Sequence, residues 1–441
     1  MREPPHRRSA IRAVYRSRHM PQAIIPEMPP HDLRFETNDR YRTVAEERIV
    51  DFLLSPFEVA AGARALDLLV AKGILDRCIA LGLPYRSSKD DRRLFDPVEV
   101  RNFIKYAHFR WNEPIWRDRT VLTLRRLMAQ PISSPSKSTD YEVKIVRKFN
   151  LTGHQVGEFV RLALPLPIED LTTAPNLSSF LPLDANDVQT DFDEARLNVR
   201  FPVTESKSAE IGVCIRLICP PKTEQQAPKI DRDEIALYTR KSEGLIKLNQ
   251  RITDLAKRLV GQESDRWSIL HRIWDFMFDE LTLGAIHYDK LHPRNPLDWT
   301  LDNCLYDCRV GSALVVALCR ARGIPARLVS GYTINPVLPT MHTWIEVWFD
   351  DNGWLPFDLY SMELCGGDRD SAWRHYFFGR IDHRLITERL PRLFGGLGSV
   401  RLPVGWQLIS ATHDDGALLS FEDLTTGELI YSEKISVRAA G

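Results

Sequence analysis

The stretch CRVGSALVVALCRARGIPARLVSGY, residues 308–332, decides the fold of this chain. Its first part, Cys308 to Arg322, is apolar nearly all round, which predicts a buried helix. Asp307 occupies the N-cap position, and Gly323 follows the last turn, where a residue in the left-handed region commonly ends a helix. Residues 324–332 predict a strand. We therefore expect a buried helix that begins with a cysteine and leads into a strand.

The position of Cys308 gives it a possible chemical role. Unpaired backbone N–H groups in the first turn of a helix carry partial positive charge, which favours a thiolate. The amide of Cys308 could also donate to an oxyanion on an attacked carbonyl. The alternative is a structural residue, because free cysteine is among the most buried residue types.

A second stretch, HTWIEVWFDDNGWLPFD at 342–358, predicts a β-hairpin. Its first strand alternates strictly, and a turn centred on Asp350 would place His342 directly opposite Asp358. Opposed side chains lie about 5 Å apart at Cβ, so the carboxylate could orient the imidazole as a base for Cys308. A slip of one residue would turn Asp358 to the other face. Taken alone, Asp358 could equally be a turn or cap carboxylate.

Together these stretches resemble the core of the transglutaminase-like superfamily, which shares the papain-type arrangement. Its pattern is a Cys that opens a helix, then R-A-x-G-I-P-A-R, a strand ending in G-Y, H-x-W-x-E-V, and G-W-x-P-F-D. Here the pattern falls on Cys308, 320–327, 331–332, 342–347 and 353–358. The resemblance implies a catalytic triad of Cys308, His342 and Asp358.

The sequence departs from this family pattern at two positions near the cysteine. Tyr306 stands where a glycine is frequent and Val310 where an acidic residue is frequent, so both could reshape the mouth of the site. In many members an aromatic side chain supplies a second oxyanion donor, and Tyr288 and Trp299 are the candidates here. No run of carboxylates resembles the calcium sites of the animal enzymes.

The rest of the chain predicts further domains around this core. The fold class is α+β: a papain-like transglutaminase core, with a Cys-bearing helix packed on an antiparallel sheet, an N-terminal α-domain and a β-sandwich. The segments are a flexible basic tail (1–40), an all-α domain of unknown role (41–132), a β-sandwich (139–222), the catalytic domain (231–395) and a small C-terminal β-unit (396–441).

Composition limits the partners. Lys+Arg and Asp+Glu are both 59 in 441 residues, which gives no reason to expect nucleic acid or a membrane. The seven cysteines are scattered and never in CxxC spacing, which favours free thiols and a cytoplasmic location. The N-terminus lacks the apolar core of a Sec signal peptide. We expect no cofactor and no metal. A zinc site at Cys304, Cys308, His287 and His292 is disfavoured, because the second pair of ligands has no clear spacing.

A nucleophilic thiol predicts acyl chemistry through a thioester. Cleavage of a peptide or isopeptide bond is the first expectation, and the expected partner is a protein or peptide substrate, or a small-molecule amide or amine. Acyl transfer to an amine is the alternative. A binding or scaffold protein that has lost catalysis is a third hypothesis, and the oligomeric state is left open.

Overall fold

The computed structural model of the chain divides into two compact units, residues 1–120 and 121–441. The structure describes residues 44–45, 76, 79–80, 83, 85–87, 93–95, 139–152, 154–168, 174–181, 189–193, 196–219, 230–284, 286, 291–292, 294–334, 339, 341–364, 371–379, 384–389, 410–413 and 431–439. In these residues, no helix is both long enough and apolar enough to cross a membrane. The tail predicted at 1–40 lies outside them.

The first unit contains a small antiparallel sheet of β1 (Val44–Ala45), β2 (Arg86–Ser87) and β3 (Arg93–Phe95), in the order β1-β3-β2. The prediction that 41–132 is all-helical therefore does not hold for these residues. Such short strands give no period to detect. The polar cluster between β2 and β3, residues 88–92, is a turn signal that the helical interpretation overlooked.

The second unit mixes strands and helices. Its strands are β4 (Thr139–Asn150), β5 (Phe159–Pro165), β6 (Ala174–Leu181), β7 (Gln189–Asp193), β8 (Arg196–Pro202), β9 (Ser208–Cys219), β10 (Ser242–Glu243), β11 (Ile246–Lys247), β12 (Thr282–Leu283), β13 (Leu305–Tyr306), β14 (Ala326–Thr333), β15 (Met341–Phe349), β16 (Gly353–Phe357), β17 (Arg384–Arg389), β18 (Ser410–His413) and β19 (Tyr431–Ala439). Its helices are α1 (Arg232–Tyr238), α2 (Gln250–Val260), α3 (Arg266–Glu280), α4 (Pro296–Asn303), α5 (Cys308–Ala321), α6 (Leu359–Leu364) and α7 (Ser371–Arg374).

Two four-stranded sheets, β19-β4-β9-β6 and β18-β5-β8-β7, form the β-domain. Alternating side chains such as Val143, Ile145, Val213 and Ile215 are buried, as a sheet with one covered face requires. The described strands of the predicted C-terminal β-unit, β18 and β19, pair with β5 and β4. They complete these two sheets instead of forming a sheet of their own. Pairing across more than two hundred residues leaves no local signal in the sequence.

The core domain is built on the antiparallel sheet β16-β15-β14-β17. Helix α5 packs on β14 and β15 and is surrounded by α2, α3 and α4. Its burial confirms the interpretation of Cys308 to Arg322 as an internal helix. Asp307 caps its start by accepting from the N–H groups of Arg309 (3.0 Å) and Val310 (2.8 Å). Gly323, with φ +72°, ends it as predicted.

The hairpin β15–β16 differs in register from the prediction. The partners are Phe349↔Gly353 and Ile345↔Phe357, so the turn is centred on residue 351 and not on Asp350. Gly353 has φ +75°, a conformation that suits glycine at the end of a three-residue hairpin loop. The slip amounts to two positions on the partner strand. Because the side-chain period is also two, residue 358 keeps the predicted face.

The β-domain and the core are joined by buried polar contacts. Arg147 of β4 is 1% exposed and donates from Nη2 to the Tyr332 hydroxyl at 2.7 Å. The backbone N–H of Ile168, just after β5, donates to the carbonyl of Ile386 in β17 at 2.9 Å. The β-domain therefore contacts β14 and β17, the two strands at one side of the core sheet.

Candidate active site

Cys308 is the first residue of α5 and remains partly accessible, while the helix that follows it is buried. The backbone N–H of Thr343 in β15 donates towards its sulfur. Since Thr343 follows His342 directly, the thiol and the imidazole belong to one small region between α5 and β15.

Dense packing around the sulfur governs its protonation. Burial is the largest influence and, together with the carboxylate of Asp307, raises the pKa of Cys308 to about 12. Arg309 and the Thr343 N–H act in the opposite direction and are outweighed. Burial thus opposes the effect of the helix start, and a thiolate favoured by that start stays a prediction. A nearby base has to take the proton for the sulfur to become a nucleophile.

His342 is the residue predicted to act as this base. It lies in β15, is 3% exposed, and pairs across the sheet with Gly331 of β14. Its Nε2 is 2.9 Å from Oδ2 of Asp358. An ionised carboxylate can only accept, so Nε2 carries the proton and Nδ1 keeps a free lone pair. The rings of Tyr360 and Trp344 flank the imidazole at centroid distances of 5.3 and 6.1 Å.

Asp358 is both the partner of His342 and the cap of a helix. It directly follows β16, and its Oδ1 accepts from the N–H of Ser361 in the first turn of α6 at 2.9 Å. Of the alternatives weighed from sequence, the cap contact is present beside a hydrogen bond to His342, and the role of triad acid stays a prediction. Burial would raise the pKa of Asp358, but His342, Arg384 and Ser361 outweigh it and hold the pKa well below its usual range.

Two residues of this site were not found from the sequence. Arg384 of β17 donates from Nη2 to Asp358 Oδ2 at 2.9 Å and to the hydroxyl of Ser361 at 3.2 Å. Arg384 follows a stretch that carries no recognisable motif, and its position depends on the pairing of β17 with β14. Ser361 could have been noticed, because an Asp three residues before it is the spacing of an N-cap contact.

The remaining motif residues have structural contacts. Arg327 donates to Glu346 from Nε at 2.8 Å and from Nη2 at 2.7 Å, with both side chains nearly buried. The same guanidinium reaches the hydroxyl of Tyr238 at 3.2 Å and lies 3.9 Å from the ring centre of Trp354. This group joins β14, β15, β16 and α1.

The other predicted positions have different outcomes. Tyr306 and Val310 are fully buried, so they belong to the core and do not line the mouth of the site. Trp299 lies in α4 and packs against the core, and its oxyanion role stays a prediction. Tyr288 and His287 lie outside the described residues. Within the described part of the chain, no group of three or more His, Cys, Asp or Glu could hold a metal ion.

The fold and this site define a class. Residues 253–359 match the sequence model of the transglutaminase-like superfamily, and the chain therefore contains a core of that superfamily. This match supports a thiol-dependent enzyme at a coarse level.

Particular relatives are more distant. An uncharacterized protein of Bacillus subtilis (strain 168), YebA, is 27% identical over 133 residues, which cover 25% of this chain and 17% of that protein. The chain thus matches less than a fifth of the length of that curated relative. A candidate cysteine protease from Cytophaga hutchinsonii is similar in structure, with 15% identity, a TM-score of 0.43, and coverage of 69% of this chain and 91% of that one. The periplasmic domain of TgpA from Pseudomonas aeruginosa has 18% identity, a TM-score of 0.32 and coverage of 55% and 94%.

Proposed function

We propose that this protein cleaves an amide bond, in a peptide or isopeptide, through a thioester acyl-enzyme on Cys308. His342 acts as base and then acid, and Asp358 orients it. The observation that carries the proposal is the 2.9 Å contact between His342 Nε2 and Asp358 Oδ2, on the strand whose next N–H faces the thiol. The superfamily match supports the same chemistry.

The first half of the reaction forms the acyl-enzyme. Nδ1 of His342 takes the proton of Cys308 while the sulfur adds to the carbonyl carbon, and the backbone N–H of Cys308 supports the oxyanion. The C–N bond then breaks, and the imidazolium gives its proton to the leaving amine. A protonated resting thiol suits this coupled transfer, because the charges form only as the substrate reacts.

The second half releases the product. His342 takes a proton from a water molecule, the resulting hydroxide adds to the thioester carbon, and the C–S bond breaks with return of a proton to sulfur. A primary amine in place of water would give a new amide by the same steps. The choice between the two acceptors depends on residues that line the acceptor path.

Trapping the acyl-enzyme tests the proposal. The protein is incubated with a peptide and isopeptide library, quenched, and analysed by intact mass before and after neutral hydroxylamine. We expect a hydroxylamine-sensitive acyl group on Cys308, absent in Cys308→Ala and retained in Cys214→Ser, which removes a half-exposed thiol of β9.

The same assay distinguishes the alternatives. A fluorescent primary amine added with the library would become covalently attached to peptide if acyl transfer competes with hydrolysis. Turnover that persists in Cys308→Ala would contradict the proposal. Binding of library members without any acylation or turnover would favour the scaffold hypothesis.

A further inference from the structure

We propose that Arg384 is a positioning residue that fixes the charge and orientation of Asp358 and, through it, of the base His342. This inference rests on the proposed function, because it assigns a role relative to the proposed Cys308–His342 pair.

The contacts of Asp358 come from three directions. Its Oδ2 accepts from His342 Nε2 and from Arg384 Nη2, both at 2.9 Å, while its Oδ1 accepts from the N–H of Ser361. Arg384 Nη2 also lies 3.2 Å from the Ser361 hydroxyl. One guanidinium nitrogen therefore contacts both the triad carboxylate and the helix that this carboxylate caps.

The backbone that carries Arg384 is fixed beside the strand that faces His342. Residues of β17 pair with β14 as Arg384↔Thr333 and Ile386↔Gly331, and Gly331 itself pairs with His342. A Cβ on Gly331 would overlap the carbonyl oxygen of Leu385, so the two strands approach more closely than a side chain would allow. The guanidinium consequently has a defined position relative to the imidazole.

Charge explains why an arginine is useful at this position. Asp358 and Arg384 are each 1% exposed, and an ionised carboxylate so far from water is costly unless a cation accompanies it. Neutral His342 supplies a hydrogen bond but no net charge. Arg384 is cationic at every physiological pH, so Asp358 can remain ionised before His342 takes a proton. The carboxylate then holds the proton on Nε2 and leaves Nδ1 available to the thiol.

In the described part of the chain, charged or titratable groups lie near His342 or near the Cys308 thiol on three other elements. They are Cys308, Asp307 and Arg309 at the start of α5, Asp358 and Tyr360 at the start of α6, and Arg384 in β17. Removal of Arg384 deletes one cation from this set. The protonated imidazole is then favoured, and any reaction step that depends on His342 shifts to higher pH.

Alkylation of Cys308 by iodoacetamide tests this inference without any substrate. The rate at Cys308 is followed by peptide mass spectrometry from about pH 5 to about pH 9, a range that spans histidine titration. In Arg384→Met we expect the His342-dependent limb of the pH–rate profile to move up by about one pH unit, with about a threefold lower rate at neutral pH. In Arg384→Lys the cation remains, so the limb should return close to that of the wild type. A folded Arg384→Met protein with an unchanged limb would overturn the inference.

A double-mutant cycle that combines changes at Arg384 and Asp358 keeps the test decisive if Arg384→Met does not fold. Arg384→Lys keeps the charge but loses the planar guanidinium, so it should leave the pH limb in place and lower the plateau rate several-fold in the wild-type background. In Asp358→Asn the same change should lower the plateau by less than about twofold, because its effect passes through that carboxylate. Equal effects in both backgrounds would overturn the inference. A wild-type Cys308 that reacts no differently from Cys214, with no dependence on His342, would instead contradict the proposed function itself.

Discussion

Two residues on the same face of β15 have different partners. His342 contacts Asp358, whereas Glu346, four residues further along, pairs with Arg327. Both pairs are buried, so burial and charge alone do not identify the one that carries chemistry. The position of the cysteine makes the difference, because the sulfur lies next to residue 343.

Glu346→Gln should therefore separate stability from reactivity. Loss of one partner leaves the Arg327 cation buried without its carboxylate, and we expect the free energy of unfolding to fall by about 3 kcal/mol. The pH profile of Cys308 alkylation should not move. Urea unfolding and iodoacetamide kinetics provide the two measurements. Asp358→Asn is the matched comparison and should slow alkylation at neutral pH; a similar loss in Glu346→Gln would contradict the assignment.

Asp358 should also make stability depend on acid. Its pKa is depressed in the folded protein, so its contribution is present above the ordinary aspartate pKa of about 3.9 and is lost as the pH falls below that value. The urea midpoint of the wild type should drop between about pH 5 and about pH 2, and Asp358→Asn should show a shallower drop. Equal slopes in the two proteins would show that Asp358 is not the group responsible.

At the scale of elements, the tight packing of α5 depends on a small residue. Gly311 lies against the ring of Tyr306, and a Cβ there would overlap that ring. This contact accommodates the tyrosine that departs from the family pattern. It also places β13 directly beneath the first turns of the helix that carries Cys308.

Gly311→Ala should consequently destabilise the protein by about 1–3 kcal/mol, because an extra methyl group in a filled core forces its neighbours apart. In a Tyr306→Ala background the space exists, and the same change should stabilise the protein by about 0.5–1 kcal/mol through helix propensity. Urea unfolding of the four proteins gives both values. The same sign in both backgrounds would contradict this packing.

Local elements were predictable because their signals lie close together in the chain. The apolar run of α5, the cap Asp307 and the terminating Gly323 specify that helix within seventeen residues. The hairpin was predicted from its alternation, but its register was wrong because a glycine with positive φ placed the turn one residue later. The position of Asp358 tolerated this error, since a diagonal neighbour on the same face remains within side-chain reach.

On the scale of the whole molecule, long-range pairings escaped the sequence. Strands β18 and β19 join sheets that begin more than two hundred residues earlier, and β17 brings Arg384 to Asp358. Such pairings depend on which surfaces remain uncovered after the local elements form. No periodicity within a short window contains that information.

The contact between the β-domain and the core offers a test at this scale. Tyr332→Phe removes the hydroxyl that accepts from the buried guanidinium of Arg147, and we expect a loss of about 1–3 kcal/mol in the free energy of unfolding. Urea unfolding followed by circular dichroism measures it. Tyr85→Phe is the control. Tyr85 is 45% exposed, so this change should have little effect on the free energy of unfolding. Equal losses in the two variants would argue that the contact between Arg147 and Tyr332 does not contribute to stability.

The most direct test of the central claim compares alkylation of Cys308 in the wild type and in His342→Ala, with Cys214 as the internal reference. If His342 takes the proton of a buried thiol, Cys308 in the wild type should react at neutral pH with a rate that follows the titration of a histidine. In His342→Ala it should react at least about a hundredfold more slowly, as expected when a general base is lost. An unchanged rate and pH profile at Cys308 in His342→Ala would contradict the account.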